Sequence, residues 1–499
     1  MKILLANPPC KKDLSNGWES SFVRAGSRWP FSTIKKKGDV LEYLPFPFYL
    51  AYSAALLENS GFDVKVIDGV ALDFTVKEFL AEVAVCCPEV IFFETATPTF
   101  TKDMQLVEEV KKILPNITVI LGGPHVTTFG VQALTDNSVI DYAIANEYDF
   151  SLLSLVKSLA SNSDISNIHG LVFRDVSGQA RANPYQPVDV AKLPFPARHL
   201  FPMAFYWDGF CQKKPAVQMH ASRGCPFLCD FCLWSNVIYD RTRCFRPFPV
   251  SKIVDEMEQV ITSYHAQEIY FDDDTITGNK KFFLDLCEEM IKREIPRRVS
   301  WSAMGDAMIT DEEMVKKMAQ AGGIGLKFGV ESGNKRVLEG IGKPVDLERI
   351  KRVVSLLCQY KIKTHATFSF GLSGETRQSM QDTLDFAKSL DVDSVQFSIS
   401  TPFPGTLYYE KAKEQGLLLD YDWSNFDGMS TSVVHFKNLQ AQEVADFHCQ
   451  ALKRWLVRKL KQPRWVWRQL FYFSRAIRSR GLGIFWQKLS RATALILEH

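Results

Sequence analysis

Short apolar runs, each bounded by Gly, Pro, Asn or Asp, recur through the first 150 residues of the chain. Residues 2–6 form one such run, ended by Asn7-Pro8-Pro9, which predicts a buried strand entering a loop. The stretch FYLAYSAALLENS (48–60) places Leu50, Ala54 and Leu57 at helical spacing. Pro47 near its start and Gly61 just past its end are tolerated at those places. Four more runs of strand length follow: DVKVID (63–68), EVIFFET (89–95), ITVILGG (117–123) and IDYAIAN (140–146), with a helical stretch at 102–114. Strands alternating with helices predict a Rossmann-like parallel sheet covered on both faces. Such sheets bind ligands at the carboxyl ends of their strands, so the candidate loops are 7–10, 95–100, 122–128 and 146–149.

The alternation resumes in the middle of the chain. Strand-like segments at 268–277, 299–304, 325–332, 363–371 and 394–400 are interleaved with helical ones such as 280–292. Residues 401–449 change character, with Pro402, Pro404, Gly405, Trp423 and Phe426, and read as a loop-rich cap. From Leu452 the pattern turns helical again, with Leu452, Trp455, Leu456 and Leu460 on one spacing and Trp465, Trp467, Leu470, Phe471 and Phe473 following.

Composition narrows the class. A chain of 499 residues with 46% hydrophobic and 23% charged residues is a folded protein of about three domains, not a disordered or fibrous one. No run of 18 uncharged apolar residues occurs, which argues against a conventional spanning helix. The opening MKILLANPPC is too short and too soon broken by proline for a signal peptide, so a cytoplasmic location is expected. Clustered cysteines in a reducing compartment suggest metal or redox chemistry. The net charge of +2 hides a division: the last fifty residues carry twelve Lys/Arg and one acid, Glu498, and the other 449 are net −9.

The most specific signal is Cys225-Pro-Phe-Leu-Cys229-Asp-Phe-Cys232, preceded by His220. Three thiolates on one short loop suit three irons of a four-iron cluster, leaving the fourth iron open to a ligand. A zinc site is the alternative, with His220 or Cys244 as fourth ligand. The CxxxCxxC spacing with an aromatic, Phe231, before the last cysteine resembles the radical S-adenosylmethionine (SAM) enzymes. The resemblance implies a partial (β/α)6 barrel with its function at the carboxyl ends of the strands. It also implies a [4Fe–4S] cluster on Cys225, Cys229 and Cys232 whose open iron holds SAM. One-electron reduction of that SAM releases a 5′-deoxyadenosyl radical. Three further motifs are similar to those of the family: Phe271-Asp272-Asp273-Asp274-Thr275, Gly329-Val330-Glu331-Ser332 and Gly371-Leu-Ser-Gly374-Glu375-Thr376. They imply that Phe231, Asp273, Asp274, Glu331, Ser332 and Gly374 bind SAM.

A Rossmann-like domain ahead of such a barrel is similar to the cobalamin-binding radical SAM group, over residues 1–400. The resemblance implies cobalamin contacts from Asn7, Pro8, Thr95, Thr97, Gly122, Gly123, His125, Val126 and Glu147. The Gly-Glu-Gly-Glu common in that family is replaced here by Asn146-Glu147-Tyr148-Asp149. No Asp-x-His-x-x-Gly occurs in the chain (Asp446-Phe447-His448 is followed by Ala451 in the glycine place), so cobalamin is expected to bind without a histidine on cobalt, the 95–100 loop lying near its lower face. The expected organisation is 1–160 cobalamin-binding, 161–210 linker, 211–400 radical SAM core, 401–449 cap and 450–496 basic aromatic helical tail. The implied activity is methylation of an unactivated carbon through methylcobalamin and the deoxyadenosyl radical, with a lipid-like or natural-product substrate. Flavodoxin or ferredoxin is the implied electron donor. The alternative is a non-methylating cyclisation, ring contraction or oxidation. For the tail, tryptophan among basic residues suits peripheral contact with an anionic membrane surface. The alternative is a helical lid on the acidic body. Nucleic acid is the partner the composition favours least.

Overall fold

The computed structural model describes residues 1–480 apart from 15, 16, 25–29, 40, 42, 420, 421 and 430. The chain divides into two compact units, Met1–Tyr206 with Asp230–Arg243 and Thr401–Val433, and Trp207–Cys229 with Cys244–Ser400 and Val434 onward.

The first unit is built on a seven-stranded sheet. Strand β1 (Lys2–Asn7) is followed by a small antiparallel sheet of β2 (Lys11–Asp13), β3 (Trp18–Val23) and β4 (Phe31–Lys36), an insertion the apolar pattern does not predict. Helix α1 (Phe48–Asn59), β5 (Asp63–Asp68), α2 (Val76–Cys86), β6 (Val90–Glu94), α3 (Phe100–Ile113), β7 (Thr118–Gly122), α4 (Pro124–Asp136), β8 (Tyr142–Ile144) and α5 (Asp149–Ser161) then alternate as expected. The expected strands and helices fall within a few residues of their predicted bounds because each is a self-contained apolar or periodic run.

Residues 161–210, expected as a linker, instead contribute β9 (Leu171–Arg174) and β10 (Ala180–Ala182), which extend the sheet antiparallel from β8. These strands are too short to carry a readable period. The full order is β10-β9-β8-β7-β6-β1-β5. The chain passes from β1 to β5 on one side and then to β6 on the other, so the topological switch lies between β1 and β6. Parity of side chains sets the two faces. Leu4, Ala6, Ile91, Phe93, Val119 and Leu121 share a core with α2, α3 and α4. Ile3, Leu5, Phe92 and Ile120 are fully buried on the opposite parity.

The second unit is a six-stranded parallel sheet in strict chain order: β11 (Ala216–Met219), β14 (Glu268–Phe271), β15 (Ser300–Gly305), β16 (Gly323–Glu331), β17 (Lys363–Phe370) and β18 (Ser394–Ile399). A two-residue ladder of β12 (Ser222–Arg223) and β13 (Arg246–Pro247) flanks the cysteine loop. Helices α6 (Val250–Tyr264), α7 (Lys280–Lys292), α8 (Glu312–Gln320), α9 (Lys335–Gly340), α10 (Leu347–Gln359) and α11 (Arg377–Ser389) separate the strands. Sequential parallel strands joined by helices are the expected βα-repeat. Residues 401–433 carry α12 (Leu407–Glu414) and belong to the first unit, while α13 (Ala441–Leu460) and α14 (Pro463–Arg480) belong to the second.

The tail's aromatics divide into two groups. Trp455 and Trp465 are buried and meet edge to face, and their indole N–H groups donate to the carbonyls of Ala387 and Asp393. Arg468 pairs with Asp391 and Asp393 at 2.7 and 2.9 Å. The helical lid therefore describes these positions. Trp467, Leu470 and Phe471 point outward, Trp467 at 72% exposure. The expected tail at 481–496 lies outside the described residues. No helix among the described residues is long and apolar enough to cross a membrane.

Candidate cofactor sites

In the first unit the expected cobalamin residues lie along one edge of the sheet because every one lies at or after the carboxyl end of a strand. Asn7 ends β1 and Pro8 follows it, Thr95 and Thr97 follow β6, Gly122 ends β7 with Gly123, His125 and Val126 after it, and Glu147 follows β8. Thr95 and Gly122 are joined directly, the Thr95 N–H and hydroxyl donating to the Gly122 carbonyl at 2.9 and 2.8 Å. Gly123 has φ +104°, and a Cβ there would collide with the Thr95 carbonyl, so only glycine lets the two loops approach this closely. Val126 is part of the apolar core.

His125 is buried against Thr97 (Nδ1 to Oγ1, 3.3 Å) and stacks on Phe100 at 3.9 Å, with Phe129 and Trp423 also in contact range. Burial pushes its imidazole down to about 3, so the ring is neutral at any working pH. Trp423 was readable only as part of a cap; the fold brings it to the β7 loop. Glu147 is engaged by the Tyr185 hydroxyl and the Val188 N–H, and so is held by its own unit.

Sequence reasoning missed the layer beneath these loops. Arg24, from the insertion, donates to the carbonyls of Pro8 and Glu94 and pairs with Asp103 at 3.3 Å. Asp103 in turn accepts from Thr99 at 2.6 Å. This buried chain of bonds fixes the turn at Thr97–Thr99. Burial pushes Asp103 up to about 6, with Arg24 holding it lower than burial alone would. No local spacing connects Arg24 to Asp103, so no sequence signal was available. The space beside Gly122 and Gly123 is taken by Phe92 and the Thr95 carbonyl, while Asn7 Oδ1 is buried with no hydrogen-bond partner among the described residues and Asn7 Nδ2 donates to Asp68, which leaves an acceptor that fits a polar ligand at this end of the sheet.

In the second unit, Asp273 and Asp274 do not simply face outward as ligands. Asp273 is fully buried and accepts from the Ala221 N–H at 3.1 Å and the Ser222 hydroxyl at 2.5 Å. Asp274 accepts from the Gly224 N–H at 2.8 Å. The acidic motif after β14 thus holds the strand and turn that launch the cysteine loop. Burial pushes the Asp273 carboxyl up to about 7, against the pull of its hydrogen bonds. Gly224 has φ +92°, and a Cβ there would collide with Cys244, whose N–H donates to the Cys225 carbonyl at 3.2 Å.

Cys229 is buried, and Cys225, Phe231 and Cys232 are half-buried on the loop. Among the described residues no three of His, Cys, Asp and Glu already converge on one point. The ligand role of the thiolates therefore rests on their number, kind and spacing, which fit three iron positions and leave one open.

Glu331 ends β16 at a register shift against β17 and has φ +70°, an unusual conformation for a non-glycine. Gly329 makes room for it, since a Cβ there would strike Glu331 Oε1. The Glu331 carboxylate meets Lys343 at 3.1 Å and Ser369 at 3.5 Å. Ser332 is buried, contacts Thr383 Oγ1 at 3.0 Å and accepts from Asn334 N–H, so it shapes the loop. Gly374 turns at φ +79° with open space where a side chain would be. Lys343 was not singled out from the sequence: a Gly-Lys-Pro in a loop carries no signal by itself.

Comparison with known proteins identifies two domain families. Residues 219–387 match the Radical SAM superfamily and residues 37–152 match the B12 binding domain. The uncharacterized methyltransferase PH0819 of Pyrococcus horikoshii is 31% identical over 403 residues, covering 80% of this chain and 85% of that protein. The anaerobic magnesium-protoporphyrin IX monomethyl ester cyclase of Rubrivivax gelatinosus is 25% identical, covering 76% of this chain and 68% of that enzyme. The fold is shared with the radical SAM methyltransferase TsrM from Kitasatospora setae, solved with cobalamin and a [4Fe–4S] cluster, at TM-score 0.63, 18% identity and coverage of 83% and 75%. It is also shared with the cobalamin-dependent enzyme OxsB at TM-score 0.65, 16% identity and coverage of 88% and 64%. The cysteine loop, the matches to both domain families and a 31% identical relative spanned over most of its length together place this chain in the cobalamin-binding radical SAM family, as an enzyme using a [4Fe–4S] cluster, SAM and cobalamin.

Proposed function

We propose that the enzyme methylates an unactivated carbon of a hydrophobic small molecule, lipid-like or a natural product. The observation that carries this is the relative named as a methyltransferase, matched over 85% of its length. Bound SAM, reduced through the cluster, supplies a radical that removes a hydrogen atom, and cobalamin supplies the methyl carrier. The chain's own part is placement and exclusion of water. Cys225, Cys229 and Cys232 hold the cluster. Asp273 and Asp274 fix the backbone before it, and Glu331, Ser332, Gly374 and Phe231 line the SAM side. Asn7, Pro8, Thr95, Thr97, Gly122, Gly123, His125, Val126 and Glu147 hold cobalamin. His125, with Nδ1 against Thr97 and its ring stacked on Phe100, would contact cobalamin without serving as a cobalt ligand in this reading. A flavodoxin or ferredoxin supplies the electron.

The outward Trp467, Leu470 and Phe471 support peripheral contact with an anionic membrane, where a lipid-like substrate resides. A second reading, cyclisation without methyl transfer, is favoured by the similarity to the magnesium-protoporphyrin cyclases. Incubation of the reconstituted enzyme with lipid and metabolite extracts, reductant and methyl-labelled SAM separates the two. For methylation the expected product carries the label and is heavier by one labelled methyl in place of hydrogen, 14 mass units with unlabelled SAM and correspondingly more with the label. Deoxyadenosine formed with an altered but unlabelled product would establish the second reading instead.

A further inference from the structure

Lys343 lies in the loop after α9 and is buried, yet it is a cation with no place in the motifs. Its ammonium donates to the Gly329 carbonyl at 2.7 Å and meets Glu331 at 3.1 Å and Asp306 at 3.6 Å. The preceding residue brings the loop against the cysteine segment: a Cβ on Gly342 would sit 3.5 Å from the Leu228 carbonyl. Burial works against the Lys343 charge, but Glu331, Asp306 and Cys229 together outweigh it and hold the ammonium above its usual range. Paired with two carboxylates the lysine is charged, and its neighbour Gly342 lies against Leu228, the residue before Cys229.

The geometry points to Lys343 as a positioning residue that sets the reduction potential of the cluster through its field at Cys229 and through its pairing with Glu331. It rests on the reading of Cys229 as a cluster ligand. The physical reason is sign and burial. Reduction would add one electron, delivered by an external one-electron donor, close to this buried charge group, and iron–sulfur potentials follow the net charge nearby. Lys343, Glu331 and Asp306 together carry −1. Removing the lysine leaves −2 beside the cluster and disfavours the extra electron; removing the Glu331 charge leaves zero and favours it. In a buried setting such charges are weakly screened. Through Glu331, one of the residues expected to bind SAM, the same group responds to a ligand, because any group that draws Glu331 away leaves the lysine field less neutralised.

The test is a mediated redox titration of the reconstituted full chain without SAM, followed by the electron paramagnetic resonance signal of the reduced cluster. Lys343→Met is expected to lower the reduced-to-oxidised ratio at a fixed potential by about ten-fold, equivalent to about 59 mV for one electron. Glu331→Gln is expected to move it the opposite way. The double variant restores the net charge and should return to within about three-fold of wild type. Lys343→Arg keeps the charge and should stay near wild type. If Lys343→Met carries a full cluster with an unmoved potential, or if Lys343→Arg shifts it as far as Lys343→Met does, the proposal is overturned. Iron content in Cys229→Ala is the separate control: a full cluster there would overturn the ligand reading and not the lysine field.

Discussion

Replacing Asp273 with alanine distinguishes a scaffold role from direct contact with SAM. The carboxyl is buried, with Ala221 N–H and the Ser222 hydroxyl donating to it at 3.1 and 2.5 Å. Removing it strands two buried donors, at about 1–3 kcal/mol each, so the turn before Cys225 loses on the order of 2–5 kcal/mol of local stability. Asp273→Ala is expected to lower the iron bound per chain after anaerobic reconstitution well below wild type. Asp273→Asn keeps the acceptor oxygen and should retain most of it.

The acid dependence sharpens the test. Burial raises the folded pKa to about 7 from the unfolded value of 3.8, so the fold favours the neutral carboxyl. Stability from this residue is complete below the unfolded value. It is lost at up to about 1.4 kcal/mol per unit as pH rises from about 4 to about 7. Chemical denaturation of wild type and Asp273→Asn across that range should show the wild type losing the extra slope. Full iron in Asp273→Ala with only SAM affinity weakened, measured by equilibrium dialysis, would refute the scaffold argument.

Gly123→Ala should cost on the order of 1–3 kcal/mol at the β7 turn and reduce cobalamin retained through gel filtration, read from its absorbance, because φ +104° and the Thr95 carbonyl leave no room for a methyl. With His125 pushed down to about 3, the spectrum of bound cob(II)alamin should not change between about pH 5 and pH 8, and His125→Phe should leave it unchanged; nitrogen splitting lost in that variant would place His125 on cobalt. Trp455→Ala should destabilise the second unit by about 3–5 kcal/mol in denaturant unfolding, whereas Trp467→Ala should stay within about 0.5 kcal/mol. In sedimentation with anionic liposomes, Trp467→Ala combined with Phe471→Ala should lose binding while keeping its fold. This is a cleaner comparison than removing the tail, which would uncover the barrel under Trp455 and Trp465.

Much of this protein is local, and the sequence by itself determined that part. Parallel strands buried on both faces must be apolar runs, so the four after α1 and the five of the barrel announce themselves by length and boundary. The thiolate triplet is legible because three ligands to one cluster must be spaced to reach it from one loop. The glycines at 122 and 123 mark a close approach for the same kind of reason. Tertiary structure decided what depends on residues distant in the chain. Arg24 reaches Asp103 across 79 positions, Trp423 joins His125, and Asp273 turns out to hold backbone at Ala221. The fold alone separates Trp455 from Trp467, since a helical period cannot say which side meets the barrel. Lys343 is the clearest case. A lysine in a loop is ordinarily solvated, and only the fold buries this one beside Glu331 and Asp306.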